Sequence, residues 1–378
     1  MTPQRKFTKD GYLHLYQISA DKSLIFLTVP DMVLLFTLIC VKARQYHIHV
    51  TALCIMYNHF HLQASAQRRE DIEDFMKAVA WAFAFLYNKN YGLKGQLFHH
   101  PFGSAPKTKS KKISGNWIYI ANNPVGKKAA QQAWDYRWNF LRYAPQLDPV
   151  SGAMTSARHP FSEEYQPLEA SKAMLYLVKT VKKRAAAGDV IDYRFFSSSR
   201  YASLSEKERL QLLDIIITTY NIIDYEPIMR KYGSMEQFCR VLSEVEGGEY
   251  DLNDDWEPED YRHYLQMISI AAEEGYDVRS RRLGPGGNYQ GKENPSKVGS
   301  SSDSRHSASD KTLDCFGKCP KQKPLFDKNL SVLREMPEVL GDAERMIRRF
   351  KTEVGASDLE IGKFLRIKNY GKNNNGIR

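Results

Sequence analysis

The chain has 378 residues, of which 42% are hydrophobic and 26% charged, and its formal net charge is +10 at pH 7. This length and apolar content suffice for two or three domains of a soluble globular protein. The N-terminus has no apolar segment behind its charges, and the longest apolar run, Met32 to Val41, is too short to span a bilayer. Five cysteines, an odd and sparse number, favour a reducing compartment, so we expect a cytoplasmic protein without membrane contact.

The positive charge is concentrated in one part of the chain. Residues 1–150 carry 19 Lys and Arg but 9 Asp and Glu, whereas the remainder carries 35 of each. An excess confined to one segment is typical of a nucleic-acid-binding surface, although a merely basic surface would have the same composition. The lysines expected to contact DNA form two clusters, one of Lys107, Lys109, Lys111 and Lys112 and one of Lys127 and Lys128.

The hydrophobic pattern of residues 1–150 mixes strands and helices. In chain order it predicts a strand at 12–17, an extended segment at 25–27 and a helix at 31–46. A hairpin at 48–56 with 59–66, a second helix at 72–91 and a further strand at 96–98 follow. This order predicts an α+β fold with an antiparallel sheet and packed helices.

Two histidine pairs in the hairpin are candidates for a metal site. His47 and His49 stand at the start of its first strand, and His59 and His61 at the start of its second. Side chains alternate along a strand, so the members of each pair face the same way and could bind one cation. A His-x-His sequence on a strand is also common as two ordinary polar residues, and its spacing does not choose between the pairs.

A tyrosine and an asparagine share a predicted helix between the two lysine clusters. Ser114 can cap this helix, and Pro124 is expected to end it at Asn123. Tyr119 and Asn123 are four residues apart and would present a phenol and an amide on one face. A packed tyrosine followed by a C-capping asparagine would have the same spacing.

At these residues the chain resembles the HUH single-tyrosine transposases, in particular the REP-associated branch. The resemblance covers roughly residues 10–143 and is carried by motifs in a fixed order: Met56-x-Asn58-His59-Phe60-His61-Leu62, Asp74-Phe75-Met76-Lys77, Tyr87-Asn88, Tyr91-Gly92, Gly95-Gln96-Leu97-Phe98, Tyr119-Ile120-x-x-Asn123-Pro124-Val125 and Tyr136-Arg137-Trp138-Asn139. It implies a ferredoxin-like antiparallel sheet with packed helices, the HUH nuclease core.

The resemblance also implies a reaction and its residues. Tyr119 stands at the nucleophile position, and His59, His61 and Asn123 stand where the family binds a divalent metal, Mg²⁺ or Mn²⁺. The implied enzyme is a transposase that cleaves single-stranded, hairpin-associated DNA through a 5′-phosphotyrosine link and rejoins it to a new end. The expected partner is therefore DNA, with the protein acting as a monomer or homodimer.

Several alternatives stand beside this interpretation. The family pattern falls on Asn58 to Leu62, which implies that His47 and His49 are not ligands. Tyr57 stands where the family usually has proline. It has the same strand parity as His59 and His61, so it is a rival nucleophile. Pro101-Phe102 replaces an Arg-Phe pair of the family, in which the arginine would contact phosphate. A catalytically silent hairpin-binding protein and a replication-initiator or relaxase-type nickase are the alternative functions.

The sequence predicts four segments. Residues 1–150 form the HUH transposase catalytic domain, 151–282 a helical accessory domain, 283–325 a flexible linker, and 326–378 a small C-terminal helical unit. In the later segments, capping boxes predict helix starts at Ser205 with Glu208, Ser234 with Gln237, and Ser357 with Glu360.

Overall fold

The computed structural model describes residues 6–98, 101–147, 154–156, 170–244, 261–274, 276–277, 282–283 and 345–365. The predicted linker over 283–325 lies outside these residues except at its first position. Within the described part of the chain, no helix combines the length and hydrophobicity needed to cross a membrane.

A four-stranded antiparallel sheet organises the first part of the chain. Its strands, in spatial order β2-β3-β1-β4, are β1 (Tyr12–Ile18), β2 (His49–Ile55), β3 (His59–Ser65) and β4 (Gly103–Lys107). Strand β3 pairs with both β1 and β2, so that His61 lies between Tyr16 on one side and Cys54 on the other. The α+β fold with an antiparallel sheet, predicted from the sequence, is confirmed.

Helices cover both faces of this sheet, and the two faces differ in chemistry. Helices α1 (Val29–Gln45) and α2 (Arg69–Tyr91) pack on one face, which is apolar, whereas α3 (Ser110–Gly126) covers the other. Because side chains alternate along a strand, Phe60 and Leu62 of β3 enter the apolar cluster, and His59 and His61 turn towards α3.

Local signals explain the ends of the two apolar-face helices. Helix α1 begins with a capping box, in which the Thr28 side chain accepts a hydrogen bond from the Asp31 N–H and the Asp31 carboxylate accepts one from the Thr28 N–H. Helix α2 ends at Gly92, whose φ of 62° is a left-handed conformation that glycine adopts without strain.

The later part of the chain is mostly helical where it is described. Its helices are α4 (Lys172–Ala187), α5 (Tyr193–Phe196), α6 (Ser199–Ala202), α7 (Glu206–Tyr220), α8 (Glu226–Tyr232), α9 (Met235–Glu244), α10 (Tyr261–Glu273) and α11 (Asp358–Leu365), with a π-helical turn at Phe350–Val354. There are also two short antiparallel strand pairs, β5 (Pro145–Leu147) with β6 (Met154–Ser156) and β7 (Tyr276–Asp277) with β8 (Arg282–Leu283). Three 3-10 helices lie earlier in the described chain, at Ala20–Lys22, Ala133–Asp135 and Phe140–Tyr143.

Helices α4 and α7 share a continuous apolar cluster with the sheet. Leu177 and Val181 of α4 and Ile216 of α7 are buried in the same cluster as α1 and α2. The capping box of Ser205 and Glu208 starts α7 as predicted, and that of Ser357 and Glu360 starts α11.

Two predicted extended segments do not form strands. Residues 96–98 lie before the fourth strand, with Leu97 and Phe98 buried in the apolar cluster, and the strand itself begins at Gly103. Residues 25–27 have no strand partner in the described sheet; the Ile25 and Phe26 N–H groups instead donate to the Tyr57 carbonyl.

Helix α3 is longer at both ends than predicted. Ser114 is not its cap but an interior residue, because its hydroxyl donates to the Ser110 carbonyl at 2.9 Å. Pro124 does not end the helix either, because the next turns retain their bonds: the Lys127 N–H donates to the Asn123 carbonyl and the Ala129 N–H to the Pro124 carbonyl. Asn123 therefore lies inside α3 and is not a C-cap.

Candidate active site

His59 and His61 lie at the start of β3 and are fully buried, with ring centroids 4.8 Å apart. Neighbouring amides determine which nitrogen of His59 carries its proton. Asn58 Nδ2 donates to the Lys22 carbonyl, so its Oδ1 is the atom that faces His59 Nδ1 at 2.5 Å. An amide oxygen can only accept, so His59 donates from Nδ1 and has its lone pair on Nε2.

His61 contacts a third buried histidine. His14 on β1 is fully buried, and its Nε2 lies 2.9 Å from Nδ1 of His61. The other ring nitrogen of His61, Nε2, lies 3.3 Å from Nδ2 of Asn123 on α3. His61 therefore links the strand bearing His14 to the helix bearing Asn123.

Helix α3 presents Tyr119 and Asn123 to this ring cluster. The half-buried ring of Tyr119 is edge-on to His61 and to His14, with centroid distances of 5.4 and 5.5 Å. Asn123, one turn further along, is buried, and its Oδ1 makes no hydrogen bond within the described part of the chain. A phenol, two imidazoles and an amide side chain thus lie close together.

Burial keeps the three histidines neutral. It lowers the pKa of His61 to about 3 and those of His14 and His59 well below the ordinary 6.5. Neighbouring positive charge, including that of Lys127 near His59 and His61, acts in the same direction. Neutral imidazoles with available lone pairs are the form in which histidine binds a metal.

A second tyrosine borders the cluster. Tyr16 lies opposite His61 in the sheet, and its half-buried ring has centroid distances of 6.2 Å to His61 and 5.6 Å to His14. On its other side Tyr16 is paired with Gly103 of β4, where a Cβ atom would collide with the Tyr16 ring. Because Gly103 has no side chain, the Tyr16 ring can lie against the backbone at this position.

The predicted DNA-binding lysines surround the site unequally. Lys107 and Lys127 are near enough for their charges to act on the buried histidines, Lys107 on His14 and Lys127 on His59 and His61. The others, Lys109, Lys111, Lys112 and Lys128, are exposed at the two ends of α3. No Asp or Glu occurs between Asp74 and Asp135 in the sequence, so α3 and the segments that flank it contribute positive charge alone.

A family model described as "Transposase IS200 like" matches residues 14–123. The match begins at His14 and ends at Asn123, so it includes the whole ring cluster and Tyr119. Residues 14–123 are therefore similar to the IS200-like transposases.

Other comparisons add little to this assignment. A solved structure described as a REP-associated tyrosine transposase bound to a REP hairpin is 18% identical, with a TM-score of 0.33, over 46% of this chain and 98% of its own. No curated protein matches the chain.

The second histidine pair of the hairpin has a different environment. His47 precedes β2 and is exposed, with a φ of 53°. His49 is also exposed, and its Nε2 lies 2.7 Å from a carboxylate oxygen of Asp224. Because only His49 is on the strand, the two rings do not share the strand geometry that the sequence pattern predicted.

The rival nucleophile Tyr57 lies in the turn between β2 and β3. Burial raises the pKa of its phenol to about 12. The phenol also raises the pKa of Tyr136, whose hydroxyl donates to the Ile55 carbonyl, so Tyr57 lies near Tyr136. A phenol whose pKa is raised is a poor nucleophile at neutral pH.

His14 is the main residue that the sequence interpretation missed. It is a single histidine between Leu13 and Leu15, and its partner His61 is 47 residues away, so no local motif marks it. Its position on a strand facing the same way as Tyr16 was the available signal. Among the described residues, no group of three His, Cys, Asp or Glu side chains has metal-site spacing, and the predicted ligand set depends on the Asn123 amide.

Proposed function

We propose that the transposase domain cleaves and rejoins single-stranded, hairpin-associated DNA, with Tyr119 as the nucleophile and a divalent metal held by His59, His61 and Asn123. The observation that carries this proposal is the edge-on contact of the Tyr119 ring with His61, one helical turn from Asn123. It brings a nucleophile beside a set of neutral ligands.

The residues present fit a divalent cation. His59 and His61 are neutral, and His59 donates from Nδ1 to Asn58, which places its lone pair on Nε2. The Nε2 of His61 faces the amide nitrogen of Asn123, which a bound metal would displace. Asn123 Oδ1 is a buried oxygen without a hydrogen bond in the described chain, which costs free energy unless something else binds it. Two imidazoles and one amide oxygen suit Mn²⁺, and also Mg²⁺ if water and phosphate complete the shell.

When bound, such a cation would polarise the scissile phosphate and stabilise charge on the leaving oxygen. Tyr119 performs the covalent chemistry: its phenol oxygen loses a proton to solvent water and bonds to phosphorus while the bond from phosphorus to the 3′ oxygen breaks. The leaving oxygen takes up a proton from solvent water and becomes a free 3′-hydroxyl. The 5′-phosphotyrosine retains the energy of the phosphodiester, so attack by another 3′-hydroxyl rejoins DNA without a nucleotide cofactor.

The ends of α3 are suited to the DNA backbone. Helix N-termini carry partial positive charge, so basic residues there are unfavourable unless an anion binds. Helix α3 nonetheless starts with Lys109, Lys111 and Lys112 and has no acidic residue in its first turn. Lys127 and Lys128 supply charge at the opposite end, next to Asn123.

A covalent-adduct gel tests the proposal. Labelled hairpin oligonucleotides with single-stranded flanks, incubated with Mn²⁺ or Mg²⁺, should give a slowly migrating protein–DNA band that EDTA prevents. Tyr119→Phe should lose this band, because phenylalanine has no nucleophilic oxygen, whereas the matched control Tyr57→Phe should keep it.

Each other outcome has a definite meaning. An adduct formed by Tyr119→Phe would contradict the assignment of the nucleophile. Binding without any adduct in the wild-type protein would instead indicate a silent hairpin-binding protein. An adduct that is never transferred to a second oligonucleotide would favour the nickase.

A further inference from the structure

His14 is outside the proposed ligand set yet is the buried neighbour of His61. Its Nε2 is 2.9 Å from His61 Nδ1, and its ring also lies edge-on to Tyr119. The flanking residues Leu13 and Leu15 turn to the opposite, apolar face of the sheet. His14 thus touches both halves of the candidate site, the metal ligand and the nucleophile.

The hydrogen bonds determine where each proton lies. Asn123 Nδ2 is a donor, so the His61 Nε2 that faces it at 3.3 Å must accept. A neutral imidazole with its lone pair on Nε2 carries its proton on Nδ1, and this N–H can donate only to His14 Nε2 in the 2.9 Å contact. His14 then relates to His61 as Asn58 relates to His59, because each accepts the Nδ1 proton of one histidine.

This arrangement is costly for the fold. With Nε2 accepting, His14 carries its own proton on Nδ1, and that atom is buried without a hydrogen-bond partner in the described part of the chain. A buried N–H without an acceptor destabilises the folded state, and an apolar residue at position 14 would avoid the cost. Side chains that weaken a fold in this way are expected where they serve function.

We propose that His14 is a positioning residue for His61: by accepting its Nδ1 proton, it fixes the tautomer and ring orientation that turn the His61 Nε2 lone pair towards Asn123. The consequence for metal binding rests on the proposed function, whereas the tautomer does not. Partners of this kind around metal ligands raise metal affinity by about 10- to 100-fold.

The tautomer is measured directly in the metal-free protein. Long-range proton–nitrogen NMR spectra of ¹⁵N-histidine-labelled wild-type protein distinguish Nδ1–H from Nε2–H rings, with assignment by His14→Gln and His61→Gln. We expect His61 and His14 both to carry the proton on Nδ1. A His61 ring protonated on Nε2, or exchanging between the two forms, would overturn the proposal, and this measurement needs neither metal nor activity.

Metal affinity tests the consequence. His14→Phe keeps a ring but removes the acceptor, and Mn²⁺ titration by calorimetry should show binding weakened by about 10- to 100-fold. His14→Gln supplies an amide oxygen that can accept the same proton, so we expect its affinity within about threefold of wild type. Equal affinities in wild type and His14→Phe, or equal losses in both variants, would count against a positioning role.

The two proposals fail separately. Tyr119→Phe should abolish the DNA adduct while leaving the His61 tautomer and the Mn²⁺ affinity unchanged. A wild-type protein with the expected tautomer but neither adduct nor Mn²⁺ binding would disprove the proposed function alone. An active enzyme in which His14→Phe binds Mn²⁺ normally would disprove only the role of His14.

Discussion

Two histidine pairs with the same spacing lie on one β-hairpin and have different surroundings. His59 and His61 are fully buried, and the Nδ1 of each lies within hydrogen-bond distance of another buried side chain, Asn58 for His59 and His14 for His61. His49 has a side chain 44% exposed and pairs with Asp224, while His47 precedes the strand. The contrast teaches that the same His-x-His spacing gives a surface ion pair on one strand and, on the other, buried rings with orienting neighbours that are candidate metal ligands.

Replacing one histidine of each pair should give the largest difference between the pairs, measured as the rate of adduct formation. His61→Ala should lower metal-dependent adduct formation by about 10²-fold or more, because losing a ligand removes several kcal/mol of stabilisation of the phosphate in the transition state. His49→Ala should stay within about twofold of wild type, since its ring is bound to Asp224 at the surface. Initial rates of adduct formation at saturating Mn²⁺ measure both effects. Similar rates in the two variants would contradict the prediction that the two pairs differ in function.

The pH dependence of stability should also separate the pairs. The folded protein keeps His14, His59 and His61 neutral, because their pKa values lie below 6.5, whereas the unfolded chain binds protons at about pH 6.5. Stability is therefore complete above pH 6.5 and falls as the pH drops towards the folded-state values, by up to ~1.4 kcal/mol per pH unit for each ring.

Urea denaturation at pH 7.5, 6.5 and 5.5 measures this loss. His61→Gln should reduce the loss between pH 6.5 and 5.5 by about 1 kcal/mol, because one buried ring is gone. His49→Gln provides the matched control on the same hairpin. A wild-type free energy of unfolding that rises as the pH falls through this interval would show that the buried rings are protonated in the folded state.

The lysines near the buried pair should affect DNA binding more modestly. Lys127→Ala should reduce the slope of log affinity against log salt by about 0.7 for a single-stranded oligonucleotide, the contribution of one phosphate contact. Lys42→Ala, on α1 at the opposite face of the sheet, should leave the slope unchanged. Fluorescence anisotropy between low and moderate salt measures both, and equal slopes for both variants would place the DNA elsewhere.

The smallest expected effect concerns the exposed pair. Asp224→Ala removes the carboxylate that binds His49, and exposed ion pairs of this kind contribute about 0–1 kcal/mol. Thermal or urea unfolding at pH 7.5 should therefore show a change of at most ~1 kcal/mol, with adduct formation intact. A loss of activity in this variant would show that the exposed pair contributes to the site after all.

The fold was predictable where hydrophobic periodicity is strong. The pattern of apolar residues locates α1, α2 and the hairpin to within a few residues. The fourth strand was placed too early because Gly103–Lys107 has no alternating pattern and all its residues are half-buried. This strand is defined by its pairing with β1, a long-range property that the local sequence does not contain.

The candidate site was predictable for similar reasons. Tyr119 and Asn123 share a helical face, and His59 and His61 a strand face, so each half follows from local geometry. The expectation that the helix face and the strand face lie together came from the resemblance to a family. The structure does bring them together. The contact of His14 with His61 was not predicted, because strand parity gives the face of the His14 side chain but not its partner 47 residues away.

Gly103 gives the edge of the sheet an unusual evolutionary constraint. Its neighbours on β4 are half-buried and should tolerate many substitutions, but any side chain at position 103 would displace the Tyr16 ring that borders His61 and His14. In a saturation-mutagenesis screen, we therefore expect position 103 to accept fewer substitutions than its neighbours on β4. The choice of residue at an edge position would then be restricted by an aromatic ring on the next strand and not by burial of its own side chain.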